Sequence, residues 1–310
     1  MSKRGWALFI ALAVIWGLPY FFIRIAVRDL DPATLVFLRT GLASLILLPF
    51  ALRRRQLRVL LDHWPAVLAY TLTEITVPWL LLSTAEQRLT SSLAGLLIAT
   101  VPIFGAMIAW ALGHERPGRR RVFGLALGFA GVVILAGVGV GRANLGPMGE
   151  VVLCAVGYAI APMIVARRLA KAPAYEVVTA SMVITALVYL PFGLAHLPRT
   201  FHAETAGSVA TLSVVCTVGA FLVFFALIRE IGPTRAMVVT YVNPAVAVLL
   251  GVAALGEPFT LGIGIGFPLI IAGSIFATWS RAPRIRAAGT TGPPGTVLRG
   301  QREPWARHRG

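Results

Sequence analysis

Two charged side chains lie well inside long apolar runs of the chain, where a charge needs a chemical reason. Glu74 lies about ten residues into such a run, a depth of ~15 Å along a helix. A charge at the centre of a bilayer costs roughly 2.5–3.5 kcal/mol on insertion scales, so the neutral carboxyl is favoured unless a cation or hydrogen bonds hold the charge. We interpret Glu74 either as a proton-coupling or cation-binding carboxyl, or as a neutral or paired residue that only fixes helix packing.

Arg39 is the second buried charge. It lies seven residues beyond Pro32, which places it ~10 Å below the nearer boundary of its apolar run. A buried arginine normally needs a partner. We expect a structural pair with Glu74, and the alternative is an arginine that faces an anionic group of a substrate, such as a carboxylate.

Aromatic and amide side chains extend the candidate set. Aromatic anchors of the membrane interface belong at the ends of a span, whereas several aromatic residues here lie near the centres of apolar runs. A cavity wall explains them, and core packing explains them almost as well. Asn243 is a further buried polar group that needs a partner. The candidates for substrate binding or coupling are Glu74, Arg39, Trp16, Tyr20, Trp79, Tyr158, Tyr241 and Asn243.

Prolines inside the apolar runs predict interrupted helices. Proline lacks the N–H that would satisfy the carbonyl four residues earlier, so it can kink or break a helix. Carbonyls released at membrane depth either line a cavity or find partners inside the protein, and a plain kink is the alternative. The predicted helix breaks are at Pro78, Pro102, Pro162 and Pro244.

The elements that must position these residues follow from the composition. Only 13% of the 310 residues are charged and the mean hydropathy is +0.82, whereas a soluble domain carries roughly 25% charged residues. Many charge-free runs reach the roughly 20 residues that cross a bilayer. We therefore predict an all-α membrane protein with ten transmembrane helices. The predicted spans are 6–27, 33–52, 65–84, 90–112, 121–140, 148–166, 177–197, 205–228, 236–255 and 260–280.

The positive charge orients these spans. The net charge is +16, but the arginines form short clusters between apolar runs, which is typical of membrane topology rather than of nucleic-acid binding. Alternate loops receive 22 and 4 of the Lys and Arg residues, which predicts that both termini are cytoplasmic. The N-terminal apolar run is longer than a signal-peptide core and is predicted to be the first span. The two cysteines lie in apolar runs without zinc-ligand spacing, so neither a metal nor a cofactor is expected.

The chain repeats itself at a constant offset of 142 residues. Without a gap, this offset superposes Pro102 on Pro244 and Glu115 on Glu257. A unit of five spans is an odd number, so the second copy must be inverted, as in many secondary transporters whose site lies between the copies. The predicted domains are a first five-helix repeat (1–142), an inverted second repeat (143–282) and a basic, disordered cytoplasmic tail (283–310). Because Glu74 aligns with Cys216 and Arg39 with Ser181, the shared scaffold requires neither charge.

Several motifs match a known family. Gly232-Pro233-Thr234-Arg235-Ala236, Tyr241-Val242-Asn243-Pro244 and Leu255-Gly256-Glu257-Pro258 resemble the second repeat of EamA-type members of the drug/metabolite transporter superfamily, with Val101-Pro102 and Gly113-His114-Glu115-Arg116-Pro117 as first-repeat counterparts. Trp16-Gly17 and Arg39 are similar to family positions as well. The resemblance covers roughly residues 5–280. It implies a ten-helix transporter with a central cavity, often an exporter of amino acids or other small metabolites. The chain departs from the pattern at Asn243, where many relatives carry glutamate.

Together these observations predict a secondary transporter in the cell (inner) membrane, rather than an enzyme. It would export a small metabolite, amino acid-like or a related organic solute, by alternating access, with protons as a candidate coupling ion. A multidrug or nucleotide-sugar-like carrier of the same superfamily is the alternative. A non-transporting intramembrane enzyme or a duplicated scaffold is disfavoured, since the histidines lie near span ends, in loops or in the tail. The expected partners are a small-molecule substrate and the lipid bilayer, and not a nucleic acid.

Overall fold

Helices form all the regular secondary structure of the described residues. The computed structural model describes residues 1–54, 56–113, 118–137 and 144–278; within these, it does not describe the side chains of 57–59, 136–137 and 233–234. A chain that crosses lipid must satisfy its backbone N–H and C=O groups internally, and an α-helix does so within one segment. The predicted tail (283–310) and the predicted boundary between residues 142 and 143 lie outside the described residues.

Fourteen α-helices are present in this described part of the chain. They are α1 (Lys3–Ala26), α2 (Pro32–Arg54), α3 (Trp64–Thr71), α4 (Val77–Ala85), α5 (Ser91–Ile98), α6 (Val101–Ala111), α7 (Arg119–Gly137), α8 (Leu145–Arg168), α9 (Ala174–Ala195), α10 (Ala203–Ser213), α11 (Ala220–Ile231), α12 (Pro233–Ala236), α13 (Asn243–Leu255) and α14 (Leu261–Thr278). Two π-helices, Leu72–Thr76 and Val214–Gly219, join α3 to α4 and α10 to α11, and 3₁₀-helices occupy Leu57–His63 and Met237–Tyr241.

The helices combine into long apolar stretches. Nine stretches in the described residues are long and apolar enough to cross a membrane. This confirms the predicted all-helical, multi-pass membrane protein. The stretches are Lys3–Ala26, Pro32–Arg54, Leu60–Ala85, Ser91–Ala111, Leu145–Arg168, Ala174–Ala195, Ala203–Ile231, Met237–Leu255 and Leu261–Thr278. The predicted fifth span is occupied by α7, a helix of 19 residues that is not among these nine.

The two π-helices occur at equivalent places in the chain. Leu72 and Val214 begin them, and these two residues are 142 positions apart. A π-helix is a wide turn within an α-helix and is frequent at functional sites. The sequence offset of 142 residues therefore coincides with a recurrence of unusual backbone geometry, and Glu74 lies in the first of the two π-helices.

The four prolines predicted to break helices behave differently. Pro78, Pro102 and Pro244 each stand in the first turn of a helix that follows an interruption, in α4, α6 and α13 respectively. Proline is tolerated there, because the first N–H groups of a helix have no intrahelical partner. The break predicted at Pro162 is wrong, since α8 continues from Leu145 to Arg168 through that residue.

Helices related by the offset pack directly on each other in two places: α2 lies against α9, and α7 lies against α14. In the second pair, glycines bring the backbones into contact. A Cβ added at Gly124 would lie 2.5 Å from the Ala277 nitrogen, and one added at Gly131 would lie 2.9 Å from the Gly266 oxygen. Only glycine permits so close an approach of two helices.

Candidate functional site

Arg39 of α2 lies buried where α2 meets the second π-helix. Only 6% of the residue is exposed. Its Nε donates a hydrogen bond to the Thr217 Oγ1 at 3.0 Å, and its guanidinium carbon lies 3.6 Å from the centroid of the Trp79 ring. A cation over a tryptophan ring is stabilised by about 2 kcal/mol or more when the pair is desolvated. Residues from three separate elements therefore hold this cation in place.

The two terminal nitrogens of the same guanidinium, Nη1 and Nη2, have no hydrogen-bond partner among the described residues. The two Nη atoms donate no hydrogen bond to any atom in the part of the chain that the structure describes, where Nε alone is bonded. The expected structural pair with Glu74 is wrong, because Arg39 and Glu74 form no ion pair and Trp79 and Thr217 contact the guanidinium instead. A buried guanidinium with free Nη donors is suited to bind a carboxylate in two parallel hydrogen bonds.

Glu74 is half-buried in the π-helix Leu72–Thr76. No hydrogen bond or ion pair to its carboxyl occurs among the described residues, so the carboxyl lacks a protein partner there. The adjacent helix α8 comes very close, since a Cβ added at Gly157 would lie 2.6 Å from the Thr73 carbonyl oxygen. Glu74 is thus held by backbone packing on α8, while its carboxyl can accept a proton or a cation.

Tyr158 lies close to both Glu74 and Arg39. It extends from α8, packs against both of the two largest clusters of buried apolar residues, and lies within electrostatic range of both Glu74 and Arg39. Tyr20 of α1 is buried in the first cluster and is within range of Arg39 and Tyr158. The structure therefore brings five of the eight predicted site residues into one region: Glu74, Arg39, Tyr20, Trp79 and Tyr158.

The other three candidates lie elsewhere. Trp16 packs on Phe224, with ring centroids 4.9 Å apart. The hydroxyl of Tyr241 shares a hydrogen bond of 2.9 Å with the Thr278 Oγ1 at the end of α14. Asn243 lies where α13 crosses α1, and its buried Oδ1 has no partner among the described groups. These positions fit structural roles.

Sequence reasoning missed Thr217, which holds Arg39. Its hydroxyl also donates to the Leu212 carbonyl five residues earlier, at 2.8 Å, as the π-helix geometry allows. A threonine in an apolar run carries no signal of its own. However, Thr217 follows Cys216, the residue that the offset aligns with Glu74, and that position could have singled it out.

Glu86 was missed because it appeared to lie in a loop. The residue follows α4 directly and is 0% exposed, and both carboxyl oxygens are buried without a hydrogen-bond partner in the described part of the molecule. Its described hydrogen bonds are made by the backbone alone: its nitrogen donates to the Leu82 oxygen at 3.0 Å, and its carbonyl oxygen accepts from the Arg24 Nη1. The predicted span ended at residue 84, two residues before Glu86.

Glu257 closes the contact between α13 and α5. Its carboxylate accepts hydrogen bonds from the Ser91 nitrogen at 2.7 Å, the Ser92 nitrogen at 2.9 Å and the Ser92 hydroxyl at 2.5 Å. The N-terminus of a helix favours negative charge because its first N–H groups are unpaired. These contacts, which we call the Glu257 clasp, join the ends of two spans. Glu115, its partner in the repeat, lies outside the described residues.

The Glu257 clasp lies at the end of the molecule that also carries Asp29, which we call the Asp29 end. There a cleft of about 460 Å³ is lined in part by Arg28, Asp29 and His202. Asp29 accepts hydrogen bonds from the Thr205 hydroxyl and from His202, and these bonds, that of Thr205 foremost, lower the pKa of its carboxyl.

Comparisons with known proteins agree with these features. The model of the EamA-like transporter family matches residues 3–137 and again residues 149–279. An uncharacterized transporter of Archaeoglobus fulgidus is 27% identical over 288 residues, covering 90% of this chain and 98% of the relative. The uncharacterized inner membrane transporter YedA of Escherichia coli K12 is 30% identical over 258 residues, covering 80% and 81% of the two chains.

A solved crystal structure shares the fold. It is 20% identical in sequence, has a TM-score of 0.63 and matches 90% of this chain and 98% of its own. The family model covers most of the chain in two segments, and the relatives match over nearly their full lengths. The chain belongs to the EamA-like transporter family.

Proposed function

We propose that this protein exports a small organic solute that carries a carboxylate, most simply an amino acid-like zwitterion, by alternating access between its two halves. The observation that carries the proposal is the guanidinium of Arg39, which is buried, fixed through Nε and Trp79, and free at both Nη atoms among the described residues. A protein that desolvates a cation in this way and leaves its donors open has formed a site for an anionic group.

The side chains near Arg39 narrow the chemical class of the proposed solute. A carboxylate on Arg39 would lie beside Tyr158, which is within electrostatic range of both Arg39 and Glu74. The carboxyl of Glu74 can then bind the ammonium group of the solute or carry a coupling proton. Tyr20 and Trp79 supply aromatic surface for the remainder. A lipophilic cation has no use for a free guanidinium, so the site favours a zwitterion over the multidrug alternative.

The symmetry required for alternating access has support as well. The family model matches the chain twice, the two π-helices start 142 residues apart, and two pairs of related helices pack on each other. We infer two inverted five-helix repeats, 1–142 and 143–282, with α7 as a tenth span. In this arrangement Arg39 of the first half contacts Thr217 of the second, so the site lies where the halves move.

We infer the orientation of the chain in the membrane from the positive charges of its loops. The excess of Lys and Arg in alternate loops supports a cytoplasmic location for both termini, including the basic tail 283–310. The Asp29 end then faces outward. The printed name of the Escherichia coli relative gives its location as the inner membrane, and we assign this chain to the same type of membrane.

Reconstitution tests the proposal. Proteoliposomes are loaded with a panel of amino acids, organic acids and lipophilic cations, and efflux is compared with that from protein-free vesicles and from vesicles with Arg39→Gln. We expect at least one amino acid-like solute to leave through the wild-type protein and to be retained by the variant. Failure of every compound, or equal efflux through Arg39→Gln, would contradict the proposed function.

A further inference from the structure

Glu86 is the most isolated acidic side chain in the part of the chain that the structure describes. It is 0% exposed and both its carboxyl oxygens lack partners, whereas Glu150 and Glu176 each have only one such oxygen. An ionised carboxylate that is buried without a partner costs several kcal/mol or more, so such a group remains neutral instead. The predicted site and the proposed cargo make no use of this residue.

The charged and titratable groups around Glu86 come from every element that packs near it. Arg24 and Tyr20 face it from α1, Arg39 from α2, Cys154 from α8, and Glu257 from beyond α13. Arg24 is engaged by the Glu86 carbonyl oxygen, and Arg39 by Trp79 and Thr217. Neither arginine therefore forms an ion pair with the Glu86 carboxyl.

Glu257 provides the contrast at the same end of the molecule. It accepts three hydrogen bonds at the start of α5, which stabilise its charged form, and this negative charge disfavours a second one on Glu86. Glu86 precedes Ser91 by only five residues. A movement that releases Ser91 and Ser92 from Glu257 would therefore act on the chain directly after Glu86.

The buried polar side chains continue inward from Glu86. Cys154 is within electrostatic range of both Glu86 and Glu74, and Tyr158 follows Cys154 by one turn of α8. Glu86 lies at the Asp29 end, directly after the span Leu60–Ala85, and Glu74 lies 12 residues earlier inside that span.

We propose that Glu86 is the outward proton-binding site of the transporter, which loads when the Glu257 clasp opens and is sealed, protonated, in the conformation described above. The step is a simple exchange: the carboxylate takes a proton from hydronium in the outer solution, an O–H bond forms, and water is released. The proton then stays on the carboxyl until the next opening. The coupling of this proton to export rests on the proposed function, but the proton binding itself does not.

Infrared spectroscopy of the protein in lipid nanodiscs tests the binding without any cargo. A protonated carboxyl has a C=O stretch that ionised carboxylates lack. At neutral pH we expect this band in the wild type, a smaller band in Glu86→Gln, and the unchanged band in the control Glu204→Gln, which removes an exposed carboxyl at the same end. Glu86→Asp keeps an acid in place and should retain the band if Glu86→Gln fails to fold.

A spectrum of folded Glu86→Gln that is identical to those of the wild type and of Glu204→Gln would overturn the proposal. A second measurement uses the cargo found in the efflux assay. Acidifying the outer solution should accelerate wild-type export at least threefold and should not accelerate export by Glu86→Gln. If no compound is exported but the Glu86 band is present, the proposed function fails while the proton site stands. If export continues without the band, only the proton site fails.

Discussion

The two halves of the molecule use the same interruption of a helix for different chemistry. Both have a π-helix at the same place in the repeat, but the first contains Glu74 and the second contains Cys216 and Thr217. The residues of α2 and α9 that lie near these π-helices also differ. Arg39 of α2 donates to Thr217, whereas Ser181, its counterpart in α9, shares a hydrogen bond of 2.7 Å with the hydroxyl of Thr71 beside the first π-helix.

This contrast separates scaffold from function. A contact that occurs in both halves, such as that from α2 or α9 to the opposite π-helix, is what the proposed duplication requires. A charge that occurs in one half has no architectural reason, and it carries the cost of burial. Four predictions test whether the charged half and the uncharged half differ in this way.

The largest effect is expected at Arg39. Replacing Arg39 by Ala removes a charge-assisted hydrogen bond to the cargo, a loss of about 3 kcal/mol, and export should fall roughly a hundredfold. Ser181→Ala is the matched control in the other half, because Thr71 retains its bond to the Val67 oxygen. Initial rates of efflux from proteoliposomes measure both. Equal losses in the two variants would remove the distinction between the halves.

The next effect concerns stability. A Cβ at Gly273 would lie 2.7 Å from the Gly124 oxygen, whereas one at Gly41 meets nothing within 4 Å. Gly273→Ala should therefore destabilise the protein by about 1–3 kcal/mol through overpacking, while Gly41→Ala should be neutral or slightly stabilising. Thermal unfolding in one detergent measures the difference. Similar melting temperatures would show that α7 and α14 are less closely packed than described.

A smaller effect is expected at Glu74. Glu74→Gln fixes this position in a neutral form, so we expect export to fall roughly tenfold, equivalent to about 1.4 kcal/mol, and to lose most of its response to pH. Cys216→Ser alters the equivalent position of the second half and should leave the pH response intact. Efflux measured over a series of outer pH values decides. An unchanged pH response in Glu74→Gln would exclude a coupling role for this carboxyl.

The smallest effect is expected at the surface. Hydrogen bonds from Thr205 and His202 lower the pKa of Asp29, so its contribution to stability is present above the ordinary aspartate pKa of 3.8 and is lost as the pH falls further. Asp29→Asn should lower the melting temperature slightly at pH 7 and not below pH ~3. Lys171 lies 142 positions after Asp29, at the equivalent place in the second half. Lys171→Gln is therefore the control, and its melting temperature should show no such pH dependence.

Sequence alone predicted the helical membrane architecture, because the length of an apolar run must match the thickness of the bilayer and the positive charge of the loops follows the topology. It also found Glu74 and Arg39, since any charge in an apolar run is conspicuous. It could not predict that Arg39 would contact Trp79 and Thr217 rather than Glu74, because partners come from spans far apart in the chain. Pro162 shows the same limit: whether a proline interrupts a helix depends on its neighbours, and α8 continues through it. Glu86 was missed because the predicted span ended at residue 84, two residues before it.

The glycine contacts of α7 and α14 also bear on the ancestry of the chain. Gly124 meets Gly273, and Gly131 meets Gly266; shifting each residue of the first pair to its counterpart 142 positions away gives the second pair. Reciprocal contact of this kind is the property of an isologous interface between two identical subunits on a twofold axis. Under the proposed duplication, the contact between α7 and α14 preserves the interface of an antiparallel homodimer. The two copies of its gene would later have fused into one. Under the same proposal, duplication allowed each copy to change alone, so that one half carries Arg39 where the other carries Ser181.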